Sequence, residues 1–482
     1  MSQSAILARP DALRRSIVLI VILGCQLMMT LDASIVTTAL PHIQRELGFS
    51  DASLSWIQNA YVLVFGGLLL LGARAGDLLG RRRVFIAGVA VFTVASLMAG
   101  IAPTALVLVA ARALQGFASA FAIPSTLALL VTTYPAPEER SRAIAVYSAV
   151  IGAAASVGII VGGVFTQFLS WRWGLLINVP IGAAVLAWAP RVLPETERRR
   201  GRIDLPGALT ITLGMSALVY GLVEAASAGW GSPSTLVPLA AAGVLIIGFV
   251  LVELRQEHPI TPLRLFAHVQ RSGAYLCRIL IVGAMFSTFY FLSQYLQNVL
   301  GMSPLATGVA YIPITAMFFA MVYVVRYLAP RLSKAALLVA ALGLAVVGMG
   351  WLSRIDVGTA YFPQILLPLL VLGIGQGIAI ILLTDFGMAD VDAADAGAAS
   401  GLVNTAHQLG GSIGLALLTV VFGGAVHHEA NPDVATVARG YAVVFQFAAL
   451  FYVAALAVGA LILLAQRRAV GRSTVTGAVA RD

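Results

Sequence analysis

Charge is scarce in this chain of 482 residues: Asp, Glu, Lys and Arg together make up 11% of it, against 60% hydrophobic residues. A water-soluble fold cannot cover that much apolar surface, so the composition excludes a soluble globular protein and requires lipid as a solvent. Lysine is nearly missing, with Lys334 alone in the chain. A phosphate-binding Walker loop needs Gly-Lys-Ser/Thr, and Lys334 follows Ser333, which excludes a nucleotide-driven motor of that kind. The two cysteines, Cys25 and Cys277, both lie in apolar runs and form no CxxC or metal spacing. They read as small buried hydrophobes. HExxH and GxSxG patterns are also missing, which argues against a membrane-embedded enzyme. No cofactor and no metal site is called for.

What is present is a succession of long apolar stretches. A spanning helix needs about 20 apolar residues. Fourteen stretches qualify, at 16–40, 52–72, 83–101, 105–131, 143–168, 173–190, 205–224, 235–253, 273–298, 305–328, 333–352, 363–384, 398–424 and 438–465. None of the gaps holds a soluble domain; the longest, Leu254–Ser272, is a linker bearing Pro and Arg. Arg9, Arg14 and Arg15 precede the first stretch, which is long enough to be a retained helix rather than a cleaved leader.

The net charge of +9 comes mainly from arginines set in short segments between apolar runs. That distribution is a topology signal rather than a nucleic-acid-binding face. With an even number of spans, 25 of the 30 basic residues fall on the side of both termini, among them Arg81–Arg83, Arg140, Arg142, Arg198–Arg200, Arg202, Arg331 and Lys334. Arg45, Arg172, Arg354 and Arg439 fall opposite, and Arg112 falls inside the membrane. The asymmetry predicts cytoplasmic termini.

An internal repeat is visible. The second stretch leads through Asp77, Gly80 and Arg81–Arg83 into the third, as the tenth leads through Arg326, Arg331 and Lys334 into the eleventh. Glu139-Arg140-Ser141-Arg142 opens the fifth, and Asp395-Ala396-Gly397 opens the thirteenth. The expected organisation is therefore an N-terminal six-helix bundle over residues 1–190, two inserted helices with linkers over 191–272, and a C-terminal six-helix bundle over 273–482. Paired bundles that rock about a midplane site are a transporter architecture.

Several polar groups sit where lipid would penalise them. Asp32 lies in Leu31-Asp32-Ala33-Ser34 of the first stretch. An acid there costs roughly 2.5–3.5 kcal/mol on insertion scales, and a dry site disfavours the charged form of a carboxyl, which suits it to proton exchange. The alternative is a structural acid paired with a neighbouring helix. Arg112 and Gln115 lie three apart, on one helix face. A buried arginine stays charged and needs a carboxylate or a wet cavity. In the fifth stretch, Gly158, Gly162 and Gly163 permit close helix approach. In the thirteenth, Asn404, His407, Gln408 and Gly411 form one polar stripe at i, i+3, i+4 and i+7, which must face a cavity. Histidine titrates near pH 6.5, so His407 is a candidate for the proton path or the substrate, with a hydrogen-bonded structural histidine as the alternative. Phe286 and Tyr290, with Phe289, Phe291, Met317, Phe318 and Phe319, are candidates for an aromatic pocket, or simply pack. Arg278 is expected to snorkel to the surface and Glu224 to lie near a headgroup zone. His427-His428-Glu429 reads as a solvated loop rather than a metal site.

These motifs resemble the major facilitator superfamily, in its fourteen-helix drug:proton antiporter branch. The family's signature between helices 2 and 3 is Gly-x-Leu-Ala-Asp-Arg-x-Gly-Arg-(Lys/Arg). Asp77, Gly80, Arg81 and Arg82 match it, whereas Ala73 stands for the first glycine and Leu78 for an arginine. Asp32 occupies the branch's helix-1 aspartate, and Arg112, Gln115 and Gly116 match its helix-4 motif. Gly158, Gly162 and Gly163 match its antiporter motif, with Ile159 in place of proline; the family's helix-13 pattern is also present around Asn404 and Gln408. Trp171-Arg172-Trp173 and Asn178 mark the branch's entry to helix 6. The resemblance implies an all-α membrane protein of the major facilitator fold with fourteen transmembrane helices. It also implies a monomeric, multi-pass cell-membrane exporter with protons and a small lipophilic, often cationic, molecule as partners, and no nucleic acid. In that picture Asp32 carries the proton, Arg112 is its electrostatic partner, and Asp77 with Arg81 latches the cytoplasmic gate. A dedicated exporter of one metabolite, antibiotic or lipid is the alternative.

Overall fold

The computed structural model describes residues 4–134, 136–195, 205–256, 263–389, 391, 396–426 and 433–479. Arg198–Arg200, Arg202, Asp395 and His427-His428-Glu429 lie outside them. The chain is almost wholly helical. In order, α1 is Ser4–Leu47, α2 Trp56–Leu79, α3 Arg81–Gly100, α4 Ala105–Thr133, α5 Pro137–Phe168, α6 Asn178–Val192, α7 Leu205–Ala228 and α8 Pro233–Arg255. Then follow α9 Val269–Asn298, α10 Ile312–Leu328, α11 Lys334–Leu352, α12 Leu366–Gly387, α13 Ala396–Val426 and α14 Val434–Val479. Short turns at Asp51–Leu54, Trp171–Leu176 and Pro304–Ala310 lead into α2, α6 and α10. Among the described residues, twelve segments are long and apolar enough to cross a membrane; α5 and α7 contribute the shorter apolar stretches Val157–Phe168 and Leu209–Ala225.

Helix boundaries follow local chemistry. Thr104 accepts from the Val107 amide at the start of α4, and Ser333 from Ala336 at the start of α11. Each satisfies a donor that the first helical turn leaves unpaired. Between α2 and α3 the sequence suggests a loop over Ala73–Arg83. The structure reduces it to one residue: Ala73–Leu79 finish α2, Arg81 begins α3, and only Gly80, at φ +100°, breaks the helix. That conformation is open to glycine and strained for other residues. Arg82 donates to the Pro190 carbonyl at the end of α6, where the helix leaves acceptors free.

The internal repeat appears as a repeat of packing. In the N-terminal half α1 packs on α5 and α6, α4 on α2 and α3, and α3 on α6. Eight helices later, α9 packs on α13 and α14, α12 on α10 and α11, and α11 on α14. One apolar core lies in the N-terminal half around Ile22, Phe85 and Phe92; a second, around Tyr295, Leu338 and Phe445, fills the C-terminal half and runs on into the N-terminal half through Leu40, Leu54 and Leu108. The halves meet where α2 packs on α13, where α5 packs on Pro304–Ala310, and where α1 packs on α9. The inserted α7 closes the α2–α13 seam through Met215, Val219 and Leu222 against Leu63 and Leu409. Its partner α8 leaves Val237, Val244 and Ile247 exposed, as a lipid-facing helix should.

Candidate functional site

Five helices converge on Asp32. Its side chain is wholly buried, and Arg112 is 1% exposed. Asp32 Oδ2 accepts from the Arg112 guanidinium. Asp32 Oδ1 accepts from Gln115 Nε2 and Asn178 Nδ2, each at 2.8 Å. Arg112 also donates through Nε to the Ile57 carbonyl (3.0 Å) and through a terminal nitrogen to Gln115 Oε1 (2.8 Å). Gln115 Nε2 reaches Ser96 Oγ at 2.8 Å, and the guanidinium carbon lies 4.6 Å from the centre of the Tyr61 ring. Thus α1 supplies the acid, α4 the cation and an amide, α6 a second amide, and α2 and α3 the remaining partners. The sequence marks Asp32 and Arg112 by charge alone; the structure makes them one ion pair with nearly every polar atom engaged. Removing either member leaves the other charged and unpaired in a dry site.

Arg112 and Tyr61 form part of the wall of a cavity of about 740 Å³ between the two halves. Met29, Ala33 and Phe65 lie on one side of it, and Arg278, Phe286, Phe289, Asn404, His407 and Gln408 on the other. Of the polar stripe of α13, Asn404, His407 and Gln408 thus line a cavity, while Gly411 packs against Phe286. Gln408 also seats against α2, where a methyl at Gly66 would stand 2.6 Å from its Cβ. His407 meets the edge of Phe286, ring centres 5.8 Å apart. Sequence reasoning passes over a second polar wall: Tyr147 donates to Gln26 Oε1 (2.7 Å) and lies 2.9 Å from Thr126 Oγ1. An amide six residues before Asp32 in so apolar a helix is the signal that could have found it.

Other sequence-marked residues lie elsewhere. Gln115 is inside the Asp32 cluster and does not reach the described cavity wall. Tyr290 is 1% exposed and packs edge-on against Phe291 in the C-terminal core, away from the cavity. Helix periodicity explains this: Phe286 and Phe289 share the cavity face, and the next residue turns inward. Arg278 does not snorkel. Its guanidinium stays buried at the cavity, donating to Thr384 Oγ1 (2.8 Å) and the Ile380 carbonyl (3.5 Å). Asp77 and Arg81 pair with each other at 2.6 Å across Gly80, and Arg81 reaches the cavity rim.

The cavity is closed at one end. On the side away from the termini, Ser293 Oγ donates to the Thr37 carbonyl (2.8 Å) and Gln297 Nε2 to the Thr38 carbonyl (3.0 Å). Leu305 N donates to Gln167 Oε1 at 3.3 Å. A methyl at Gly162 would stand 2.5 Å from the Ile35 carbonyl oxygen, and one at Gly163 2.6 Å from that of Pro304. Gly158 packs on Ser34 and Leu31 in the same way. The glycine motif thus holds the Asp32-bearing helix against α5 and seals α5 against the other half. α5 runs unbroken through Ile159, where the family pattern has proline. Toward the termini the cavity wall continues to Leu127, Arg81, Ser400 and Gly401. Behind the seal, Arg172 and Trp171 both hold Glu46, at 2.8 and 2.5 Å, tying the end of α1 to the entry of α6.

Comparison with known proteins bears on the family and the fold. Residues 22–415 match the family model of the Major Facilitator Superfamily. The chain is 40% identical to a puromycin resistance protein of Streptomyces alboniger, over 92% of this chain and 90% of that one. It is 39% identical to a cephamycin export protein of Amycolatopsis lactamdurans, over 83% and 84%. Among solved structures it is similar to a peptide transporter in complex with sulfate, with TM-score 0.69 and 14% identity over 92% of this chain and 94% of that one. It is likewise similar to a bacterial homologue of the lysosomal transporter Spinster, with TM-score 0.67 and 16% identity over 93% and 97%. These likenesses bear on the fold.

Proposed function

Because the chain belongs to the Major Facilitator Superfamily, a family of membrane transporters, we propose that it is a proton-coupled efflux transporter that exports lipophilic compounds by alternating access. The observation that carries the reading is the placement of one wholly buried carboxylate, Asp32, whose ion-pair partner Arg112 forms part of the wall of the cavity between the halves. Protonating Asp32 removes the charge that holds Arg112, so the proton load and the shape of the cavity wall are coupled. The resistance and export roles named for the puromycin and cephamycin relatives support drug efflux. Since those relatives are each named for a single antibiotic, export of one dedicated compound is the second reading.

In this proposal the protein is a monomer in the cell membrane with fourteen spans, both termini cytoplasmic, and the bundles assigned to residues 1–190 and 273–482. The closed end described above is then the outer gate, and the cavity faces the cytoplasm. Asp32 loads the proton, Arg112 reports its state, and His407 is a second titratable group on the opposite wall. Asp77 and Arg81 latch the cytoplasmic gate. Gln408, Asn404 and Phe286 contact the substrate.

Dye uptake into everted vesicles tests the proposal. The native protein should accumulate dye when the vesicle interior is acidified and stop when a protonophore is added. Asp32→Asn should abolish accumulation while facilitated equilibration of dye remains. Full accumulation by Asp32→Asn would refute the assignment.

A further inference from the structure

We propose that the cavity recognises the anionic group of an amphipathic substrate, and that Arg278 is the residue that binds it. The inference rests on the transport reading and adds the charge class of the cargo. Three arginines line the cavity, Arg81, Arg112 and Arg278, and no Asp or Glu is among its described lining residues. Two of the cations are already answered by an acid: Arg81 pairs with Asp77 at 2.6 Å, and Arg112 pairs with the buried Asp32. Arg278 has no acid. Its guanidinium donates only to a threonine hydroxyl and a main-chain carbonyl, and its buried Nε has no partner among the described residues. The side chain is 7% exposed.

A permanently charged group held in a low-dielectric wall without a counter-ion is an expensive arrangement. It becomes favourable when a carboxylate, phosphate or sulfonate enters, because guanidinium presents forked donors that match those groups. His407 stands on the same wall, its buried Nδ1 without a partner among the described residues. Beside them Met285, Phe286 and Phe289 offer an apolar, aromatic floor for the body of the molecule. The cation expected from the family resemblance meets the opposite electrostatics here: it would face unanswered positive charge and no described carboxylate. The competing account of Arg278 is a structural tether from α9 to α12 through Thr384 and Ile380.

Three probes separate these accounts, each measured by equilibrium dialysis against purified protein in nanodiscs, with empty nanodiscs as the blank. Anilinonaphthalene sulfonate is the anion, phenylnaphthylamine has the same aromatic body without charge, and tetraphenylphosphonium is the cation. The native protein should bind the sulfonate about tenfold or more tightly than phenylnaphthylamine, the value of one charge-assisted contact, and should bind the cation weakest. Arg278→Gln should erase the preference and leave phenylnaphthylamine binding unchanged; Arg278→Lys should restore part of it. Equal binding of the two aromatic probes by the native protein, no binding of the sulfonate, or tightest binding of the cation would overturn the proposal. So would Arg278→Gln losing phenylnaphthylamine as well, the mark of a tether. Binding needs no proton gradient, so a failure of proton-driven transport with the preference intact would refute the efflux reading and leave this site standing.

Discussion

Gly163 of α5 faces the Pro304 carbonyl across the seam between the halves, so closely that a methyl group at 163 would stand 2.6 Å from that oxygen. This contact, with Thr37 to Ser293 and Thr38 to Gln297, makes the closed end of the cavity. A gate that depends on backbone approach depends on the smallest side chain. Gly163→Ala should therefore wedge this end open and favour the opposite conformation. An introduced Ser293→Cys reports it, since Cys25 and Cys277 are both fully buried and give little background. Labelling of intact cells by a membrane-impermeant maleimide should rise severalfold in Gly163→Ala; unchanged labelling would show that the seam tolerates the methyl.

The Asp32–Arg112 pair should be conspicuous in stability as well as in transport. Breaking a buried pair from one side costs about 3–5 kcal/mol, because the survivor is left charged and dry. Arg112→Gln and Asp32→Asn should each lower the melting temperature of the purified protein. The double variant should recover a large part of the loss, since no charge is left stranded. Additive losses in the double variant would mean that the two charges are stabilised independently.

His407 is the titratable group on the wall opposite Arg112. If it takes part in proton movement, His407→Gln should displace the pH–transport profile. A variant that transports more slowly with an unmoved profile would assign His407 to substrate contact or to packing on Phe286.

Much of this organisation is legible in the sequence, for physical reasons that differ from residue to residue. Spans are legible because lipid enforces length and apolarity on every one of them. Asp32 and Arg112 are legible because charge inside a span is costly. Their amide partners Gln115 and Asn178 are less so, because nothing in a linear pattern says which way an uncharged amide turns. Tyr290 and Arg278 show the limit most clearly. Both lie on α9, and their roles depend on which face of that helix looks into the cavity, a matter settled by packing against α12, α13 and α14 rather than by composition. Arg278 reads as a snorkelling cation only when its distance from the helix end is considered and its neighbours are not.

The charge of the cargo should also set how transport responds to membrane potential. With a negative interior, one proton moving in carries one positive charge inward, and one monovalent anion moving out is equivalent to a second. Each charge is worth about 2.3 kcal/mol per 100 mV, so a one-for-one exchange of proton for anion gains about 4.6 kcal/mol per 100 mV. The same exchange with a neutral substrate gains half of that, and with a monovalent cation nothing. In proteoliposomes clamped by potassium and valinomycin at a fixed pH gradient, efflux of anilinonaphthalene sulfonate should steepen most with potential and that of phenylnaphthylamine about half as much. Tetraphenylphosphonium, if moved at all, should be indifferent. Arg278→Gln should lower the sulfonate's rate without changing the slope, because the slope counts charges crossing the membrane and Arg278 does not cross. A sulfonate flux only as steep as that of phenylnaphthylamine would mean that the anion leaves without an accompanying proton current, one charge crossing in place of two, and the coupling assigned to Asp32 would fall with it.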